Sequence, residues 1–351
     1  MSLPVPIRKA VDRLRPYHPP LEGRGGKMRL DFNENPAGCP PEVRKALARL
    51  SADEIAMYPE QETARRELAR FFGVNVEEML LANGTDEALH LIVNTFVDAG
   101  EAVLLAEPTF AIYRFYAELA GARIHALRYD SELKFPVAET IRALRKHPRV
   151  LFIANPNNPT GSMASLEELR AIVEAAKRTM VVVDEAYFEF SRQTVLPWIR
   201  RHKNLIVTRT FSKAAGLAGL RLGCLFANRE AAAHLRKAQS PYPVNVAALV
   251  AARALAAAEQ YMARTLEEFR RSREELVRGL AQLKLRQFPS AANFVLVDAG
   301  ERAKTIVAGL ARRKILIRDR SHDFGGAGYV RITIGTRAQT RAVLRALKEV
   351  L

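Results

Sequence analysis

Five short apolar runs, at 79–82, 102–105, 150–154, 181–183 and 205–208, each lead into a polar or glycine-bearing cluster. Runs of this length, rich in Val, Ile and Leu, read as buried strands. The segments between them carry helical periodicity, as in Leu89, Ile92, Val93 and Phe96 at i, i+3, i+4 and i+7. Strands alternating with helices imply an α/β domain with a mainly parallel sheet. Such sheets bind ligands beyond the carboxyl ends of their strands. The clusters at 83–86, 155–161 and 184–187 all fall at those ends.

A chain of 351 residues exceeds the size at which one core stops growing, so two domains are expected. The reading gives an N-terminal arm at 1–30, a large domain at 31–260 and a small C-terminal α+β domain at 261–351. The arm carries Pro4, Pro6, Pro16, Pro19 and Pro20. A nearly unbroken helical stretch at 245–283 joins the domains. Strands follow at 294–297, 315–318 and 329–334, and helices at 301–313 and 337–350. In the 315–318 strand, Leu316 and Arg318 share one face.

Cys39 and Cys224 form no disulfide framework and sit in no metal-ligating spacing, which fits a reducing cytoplasm. The first residues lack the apolar core of a signal peptide, and no run of 18 apolar residues exists to span a membrane. The net charge of +16 raises nucleic acid and anionic ligands as partners. The basic residues are spread along helices and alternate with glutamate, as in 266–275. No zinc finger or aromatic–basic RNA motif accompanies them, so neither nucleic acid nor membrane is expected as a partner.

The stretch 208–223 carries the most chemistry. Thr210, Ser212 and Lys213 arrive together, and Arg221 follows a glycine-broken loop. Two hydroxyls and a guanidinium around one lysine make a phosphate cup. A lysine beside another cation in a partly dry pocket has a lowered pKa. Its neutral amine can attack a carbonyl, which is Schiff-base chemistry. Phosphate and Schiff-base lysine together point to pyridoxal phosphate (PLP). Asp184, closing an apolar strand, is the candidate carboxylate for the ring nitrogen; its ordinary role would be a helix cap. Tyr187 and Asn158 lie where they can reach a ring hydroxyl, or serve packing and a turn. Phe110 can stack on the ring or fill the core. Gly84 and Thr85 open a helix, whose free N–H groups bind anions or are simply capped. In 329–334, the apolar Val330, Ile332 and Ile334 alternate with Arg331, which can point into a cleft and grip a carboxylate; Arg318 then implies a second anionic group. Both arginines could equally lie on the surface.

These motifs resemble the fold-type I, class II PLP-dependent aminotransferases. The resemblance rests on Asn-Gly-Thr-Asp-Glu-Ala at 83–88, Asn-Asn-Pro-Thr-Gly at 157–161, Asp-Glu-Ala-Tyr at 184–187, and Thr-Phe-Ser-Lys at 210–213 with Arg221 eight residues on. Within that family, segments 15–17, 33–36, 58–60, 241–243, 317–319 and 331–336 are most similar to the histidinol-phosphate aminotransferase subfamily. The resemblance implies that Lys213 holds PLP and shuttles the proton, and that Asp184 pairs the ring nitrogen. It implies that Tyr187 and Asn158 bind the ring hydroxyl, and that Gly84, Thr85, Thr210, Ser212 and Arg221 hold its phosphate. Tyr58 would reach that phosphate from the neighbouring subunit of a homodimer. Arg331 matches the carboxylate-binding arginine, and Asn33, Arg318 and Tyr17 match substrate-binding positions. Phe110 departs from the tyrosine common there, keeping the stack and losing a hydroxyl. The implied reaction exchanges an amino group between histidinol phosphate and 2-oxoglutarate, in histidine biosynthesis. A threonine-phosphate decarboxylase or a broad aromatic aminotransferase is the alternative on the same scaffold.

Overall fold

The computed structural model describes residues 4–16, 20–326 and 328–351. Tyr17 lies outside the described residues. The large sheet has seven strands: β1 (Met79–Ala82), β2 (Ala102–Glu107), β3 (Arg123–Arg128), β4 (Val150–Ala154), β5 (Met180–Asp184), β6 (Leu205–Thr210) and β7 (Gly223–Ala227), in the order β1-β7-β6-β5-β4-β2-β3. Neighbours from β3 through β6 are parallel. Only β7 runs against both its neighbours in this sheet.

Successive side chains of a strand point to opposite faces. Leu80, Val103, Val150, Val182, Ile206 and Leu225 enter one apolar layer. Leu81, Leu104, Leu151, Val181, Val207 and Phe226 enter the other. Helices cover both layers, which is why these strands are apolar throughout rather than alternating. Gly84–Phe96 buries Leu89, Ile92 and Val93 on the first face. Leu166–Ala175 buries Leu169, Ile172 and Val173 on the second, and begins with a capping box between Ser165 and Glu168.

The small sheet is antiparallel. It contains β8 (Arg286–Gln287), β9 (Phe294–Asp298), β10 (Arg318–Asp319) and β11 (Tyr329–Thr333), in the order β10-β11-β9-β8. Val295, Val297, Val330 and Ile332 pack beneath the helices Glu259–Gln282, Ala303–Arg312 and Arg337–Val350.

The strand expected at 315–318 is in fact two. Ile315–Leu316 pairs in parallel with Met28–Arg29, while Arg318–Asp319 pairs with β11. Ile317 between them is buried in the small core, and the chain changes partner across it. Leu30 N donates to Leu316 O at 2.8 Å, and Thr333 N donates to Leu30 O at 3.0 Å. The segment 28–30 is therefore stitched to the strands at 315–316 and 329–333.

The basic helix face is internally paired. Arg270 meets Glu267 at 2.8 Å and Glu274 at 2.5 Å, and Arg271 meets Glu267 at 2.7 Å. Exposed pairs of this kind add little stability, but they leave no concentrated basic stripe on this helix. No helix among the described residues is long and apolar enough to cross a membrane.

Candidate active site

The cavity opens where β4, β5 and β6 end. β6 delivers Thr210, then Ser212 and Lys213; the chain turns at Gly216 and returns as β7. Because β7 runs antiparallel, its first residues lie beside the last residues of β6, with Thr210 opposite Gly223. Arg221, in the left-handed region at φ 54°, thereby reaches the same end as Lys213. A Cβ on Gly84 would collide with the Arg221 guanidinium, and one on Gly223 would come within 2.6 Å of Thr85 N. Glycine at both positions lets the two loops close into one cup around the start of the Gly84–Phe96 helix. Arg221 also pairs with Asp86 at 2.9 Å.

Lys213 Nζ donates to the carbonyl of Phe32 at 3.0 Å. Burial, and then the facing Arg331, lower its pKa to about 8. About a tenth of the amine is then neutral at pH 7, the form that carbonyl attack requires, and far more than at an ordinary lysine. Asp184 is 4% exposed. Its Oδ2 accepts from the Tyr113 hydroxyl at 2.7 Å and its Oδ1 from Ala186 N at 3.1 Å. Burial raises its pKa. Among the described residues no cation pairs with it, whereas its sequence neighbour Glu185, on the opposite face of the strand end, is paired with the buried Arg209 at 2.9 Å. Tyr187 Oη accepts from Asn33 Nδ2 at 2.9 Å, and burial holds it protonated by raising its pKa.

The second half of the cavity belongs to the small sheet. Arg318 and Arg331 are register partners on adjacent antiparallel strands, so their side chains share a face, and both line the cavity with Arg320. Arg331 is 4% exposed. It donates from Nη1 to Asn158 Oδ1 at 2.5 Å and from Nη2 to Asp31 O at 2.6 Å. Its Nε is buried without a partner. Burial, then Arg320 and Arg318, lower its pKa to about 10. The Arg318 guanidinium lies 5.5 Å from the centre of the Phe32 ring. Phe110, Asn158, Lys213 and Arg221 border both halves, so the cavity is continuous.

An amine primed for carbonyl attack, a buried carboxylate and a cationic cup therefore face an arginine pair. Residues 25–347 match the family model described as aminotransferase class I and II. This chain belongs to the class I and II aminotransferases. The histidinol-phosphate aminotransferase of Caldanaerobacter subterraneus subsp. tengcongensis is 37% identical over 351 residues, covering 98% of each chain. The crystal structure of the Sinorhizobium meliloti histidinol-phosphate aminotransferase, in complex with pyridoxal-5'-phosphate, superposes with a TM-score of 0.88 at 28% identity, covering 98% of this chain and 97% of that one. The L-threonine-O-3-phosphate decarboxylase of Porphyromonas gingivalis also superposes, with a TM-score of 0.80 at 26% identity over 92% of this chain and 98% of that one. The scaffold is thus common to different reactions.

The residues of this aminotransferase fit a phosphorylated pyridine aldehyde. Asp184 is a buried acid that the described residues leave without a cation, which a protonated ring nitrogen would supply. The cup made by Gly84, Thr85, Thr210, Ser212 and Arg221 is shaped for a small anion, and Phe110 lines the space between cup and acid. Asn158 has its oxygen engaged by Arg331, leaving its amide N–H groups to donate. Tyr58 stands apart. It is 78% exposed, stacked on Tyr242 at 4.4 Å between centroids, and does not line its own chain's cavity.

Five contributors escape the sequence reading. The Asp31 and Phe32 carbonyls act through backbone, which leaves no side-chain signature. Asp86 and Arg320 sit beside singled-out residues, and a charge count around Arg221 and Arg318 would have found them. Arg320 pairs with Asp323 at the cavity wall. Tyr113 reads as one more core position of an amphipathic helix, Ala111–Leu119, and only the fold brings it to Asp184.

Proposed function

We propose that this aminotransferase exchanges an amino group between L-histidinol phosphate and 2-oxoglutarate, running toward histidinol phosphate in histidine biosynthesis, with PLP carried on Lys213. The observation that carries the reading is the continuous cavity that sets a lysine of lowered pKa against the paired Arg318 and Arg331. The full-length relative named above, at 37% identity, supports the same substrate.

PLP, when bound, supplies the electron sink for breaking the Cα–H bond. The chain supplies the rest. Gly84, Thr85, Thr210, Ser212 and Arg221 hold the phosphate; Asp184 keeps the ring nitrogen charged; Tyr187 and Asn158 donate to the ring oxygen; Phe110 covers a face. Lys213 Nζ, partly neutral at working pH, takes the Cα proton and returns it. Arg331 offers its unpartnered Nε to the α-carboxylate of glutamate. Arg318 meets the distal phosphate of histidinol phosphate, with Asn33 near the substrate. Glutamate and histidinol phosphate carry their anions differently, and two arginines on one face answer both.

We further infer a homodimer in which Tyr58 completes the partner's cup. Its exposure, beside exposed Ile55, Met57 and Phe71, supports this. The two free cysteines suit a cytoplasmic site, and the domain division stays at 31–260 and 261–351.

The test is a donor and acceptor panel with and without phosphate on the substrate. Transamination of histidinol phosphate well above that of unphosphorylated histidinol is expected. Release of carbon dioxide from O-phosphothreonine without transamination would replace this reading by the decarboxylase, and equal rates with aromatic amino acids by the broad aminotransferase.

A further inference from the structure

Tyr113 is fully buried in the Ala111–Leu119 helix and touches three groups at once. Its hydroxyl donates to Asp184 Oδ2 at 2.7 Å. Its ring lies flat against Phe152, centroids 5.0 Å apart and planes 4° from parallel. It meets Phe110 edge to face, centroids 5.6 Å apart and planes at 88°. Packed this way, the phenol has one orientation, and the hydrogen bond has one direction: burial and the neighbouring Asp184 raise the Tyr113 pKa well above its usual value, so it stays a donor.

That contact solves a problem for Asp184. A carboxylate buried this deeply drifts toward its neutral form, and a neutral acid cannot hold a ring nitrogen protonated. A donor fixed on Oδ2 favours the charged form. Ala186 N occupies Oδ1, so the carboxylate plane is set from two sides where Asp184 lines the cavity.

We propose that Tyr113 is the positioning residue of the cofactor ring: its hydroxyl keeps Asp184 ionised and aimed, and its ring supports Phe110 on the ring's face. This rests on the assignment of PLP to the cavity. One buried side chain thereby couples the charge at the ring nitrogen to the height at which the ring sits. Without the hydroxyl, the shared proton moves from the ring nitrogen toward the Asp184 oxygen, with no other change in bonding.

The experiment compares wild type, Tyr113→Phe and Phe152→Leu, each reconstituted with PLP carrying ¹⁵N in the ring. Tyr113→Phe keeps the stack and removes only the hydroxyl. Its ring-nitrogen resonance is expected to move toward the unprotonated position, and PLP to bind about tenfold more weakly, as loss of one charged hydrogen bond requires. Phe152→Leu is expected to lower the melting temperature and leave the resonance at its wild-type position. A second measurement uses the PLP analogue with carbon in place of the ring nitrogen. Wild type should prefer PLP over it, and Tyr113→Phe should narrow that preference. An unmoved resonance and an unchanged preference in Tyr113→Phe would overturn the proposal while leaving PLP binding intact. A Phe152→Leu resonance displaced as far as that of Tyr113→Phe would assign the effect to stacking instead. Failure of the wild-type protein to bind PLP at all would sink the cofactor assignment itself.

Discussion

Lys213 and Arg331 face one cavity, but the chain reaches them by different routes. The lysine end is assembled where strands of a single sheet stop, so strand register brings Asp184 and Thr210 to the same end and the segments that follow β1 and β6 carry Thr85 and Lys213 there. The arginine end needs three separate segments: β10, β11 and the strap at 31–35, whose carbonyls accept from Lys213 and Arg331. A parallel sheet places chemistry wherever its strands stop. A cavity walled by a second sheet places it only where the two sheets and the strap agree. The first end should tolerate variation in substrate and no variation in chemistry, and the second the reverse.

The sharpest way to break this contrast is at Lys213. Lys213→Ala should cost at least about 10⁴-fold in kcat with every donor, since both the carrier amine and the proton shuttle are lost. Borohydride reduction of the PLP-loaded protein and peptide mapping should place the label on Lys213; a label on another lysine removes the premise.

At the other end the losses should be selective. Arg318→Ala should lose roughly ten- to a hundred-fold in kcat/KM with histidinol phosphate, for a charged hydrogen bond of about 1.5–3 kcal/mol, and much less with glutamate. Arg331→Ala should do the opposite, because histidinol phosphate has no α-carboxylate. Half-reactions at two ionic strengths separate this from general steering, which weakens all anions alike and fades with salt. Equal losses for both donors would mean that the arginine end does not discriminate.

A third prediction concerns the partner. Mixing Lys213→Ala chains with Tyr58→Phe chains should regain activity, because a mixed dimer concentrates both lesions in one site and frees the other. Subunit exchange without regain would make the lysine end complete within one chain.

The smallest effect is a titration. Lys213 carries a pKa near 8 against an ordinary 10.5, lowered by burial and then by Arg331. Capture of PLP by the cofactor-free protein should therefore accelerate as pH rises through 8. Between those two values the unfolded chain binds the extra proton, so this group's contribution to stability rises with pH, visible as a higher urea midpoint. Arg331→Gln should move the capture midpoint upward; an unmoved midpoint would mean the two ends are electrically independent.

The two ends also differ in how far the residues alone disclose them. Apolar runs followed at once by Asn-Gly, Asp-Glu or Ser-Lys announce strand ends, and the amphipathic repeat at 337–350 marks its helix because nothing else could bury that face. The 315–318 run gives no sign that it divides, since Ile315, Leu316 and Ile317 are continuously apolar and only the partners at Met28–Arg29 and β11 pull the two halves apart. Tyr113 is hidden for a similar reason: a buried tyrosine and a functional one have the same periodicity. Arg318 and Arg331 are legible as residues but not as a pair, because their adjacency is a property of register across thirteen positions.

The strap has a consequence for how the molecule is made. Asn33 N donates to Thr333 Oγ1 at 3.0 Å across 300 positions of sequence, and Met28–Arg29 waits for Ile315–Leu316. On a ribosome, these residues emerge long before their partners exist. The large sheet can complete itself during synthesis, while the strap must remain unattached until almost the last helix has been added. A chain stalled before Ile315 therefore carries the strap carbonyls but has neither Arg331 nor the strand that would hold the strap in place, and a nascent enzyme cannot assemble its whole site before it is nearly finished.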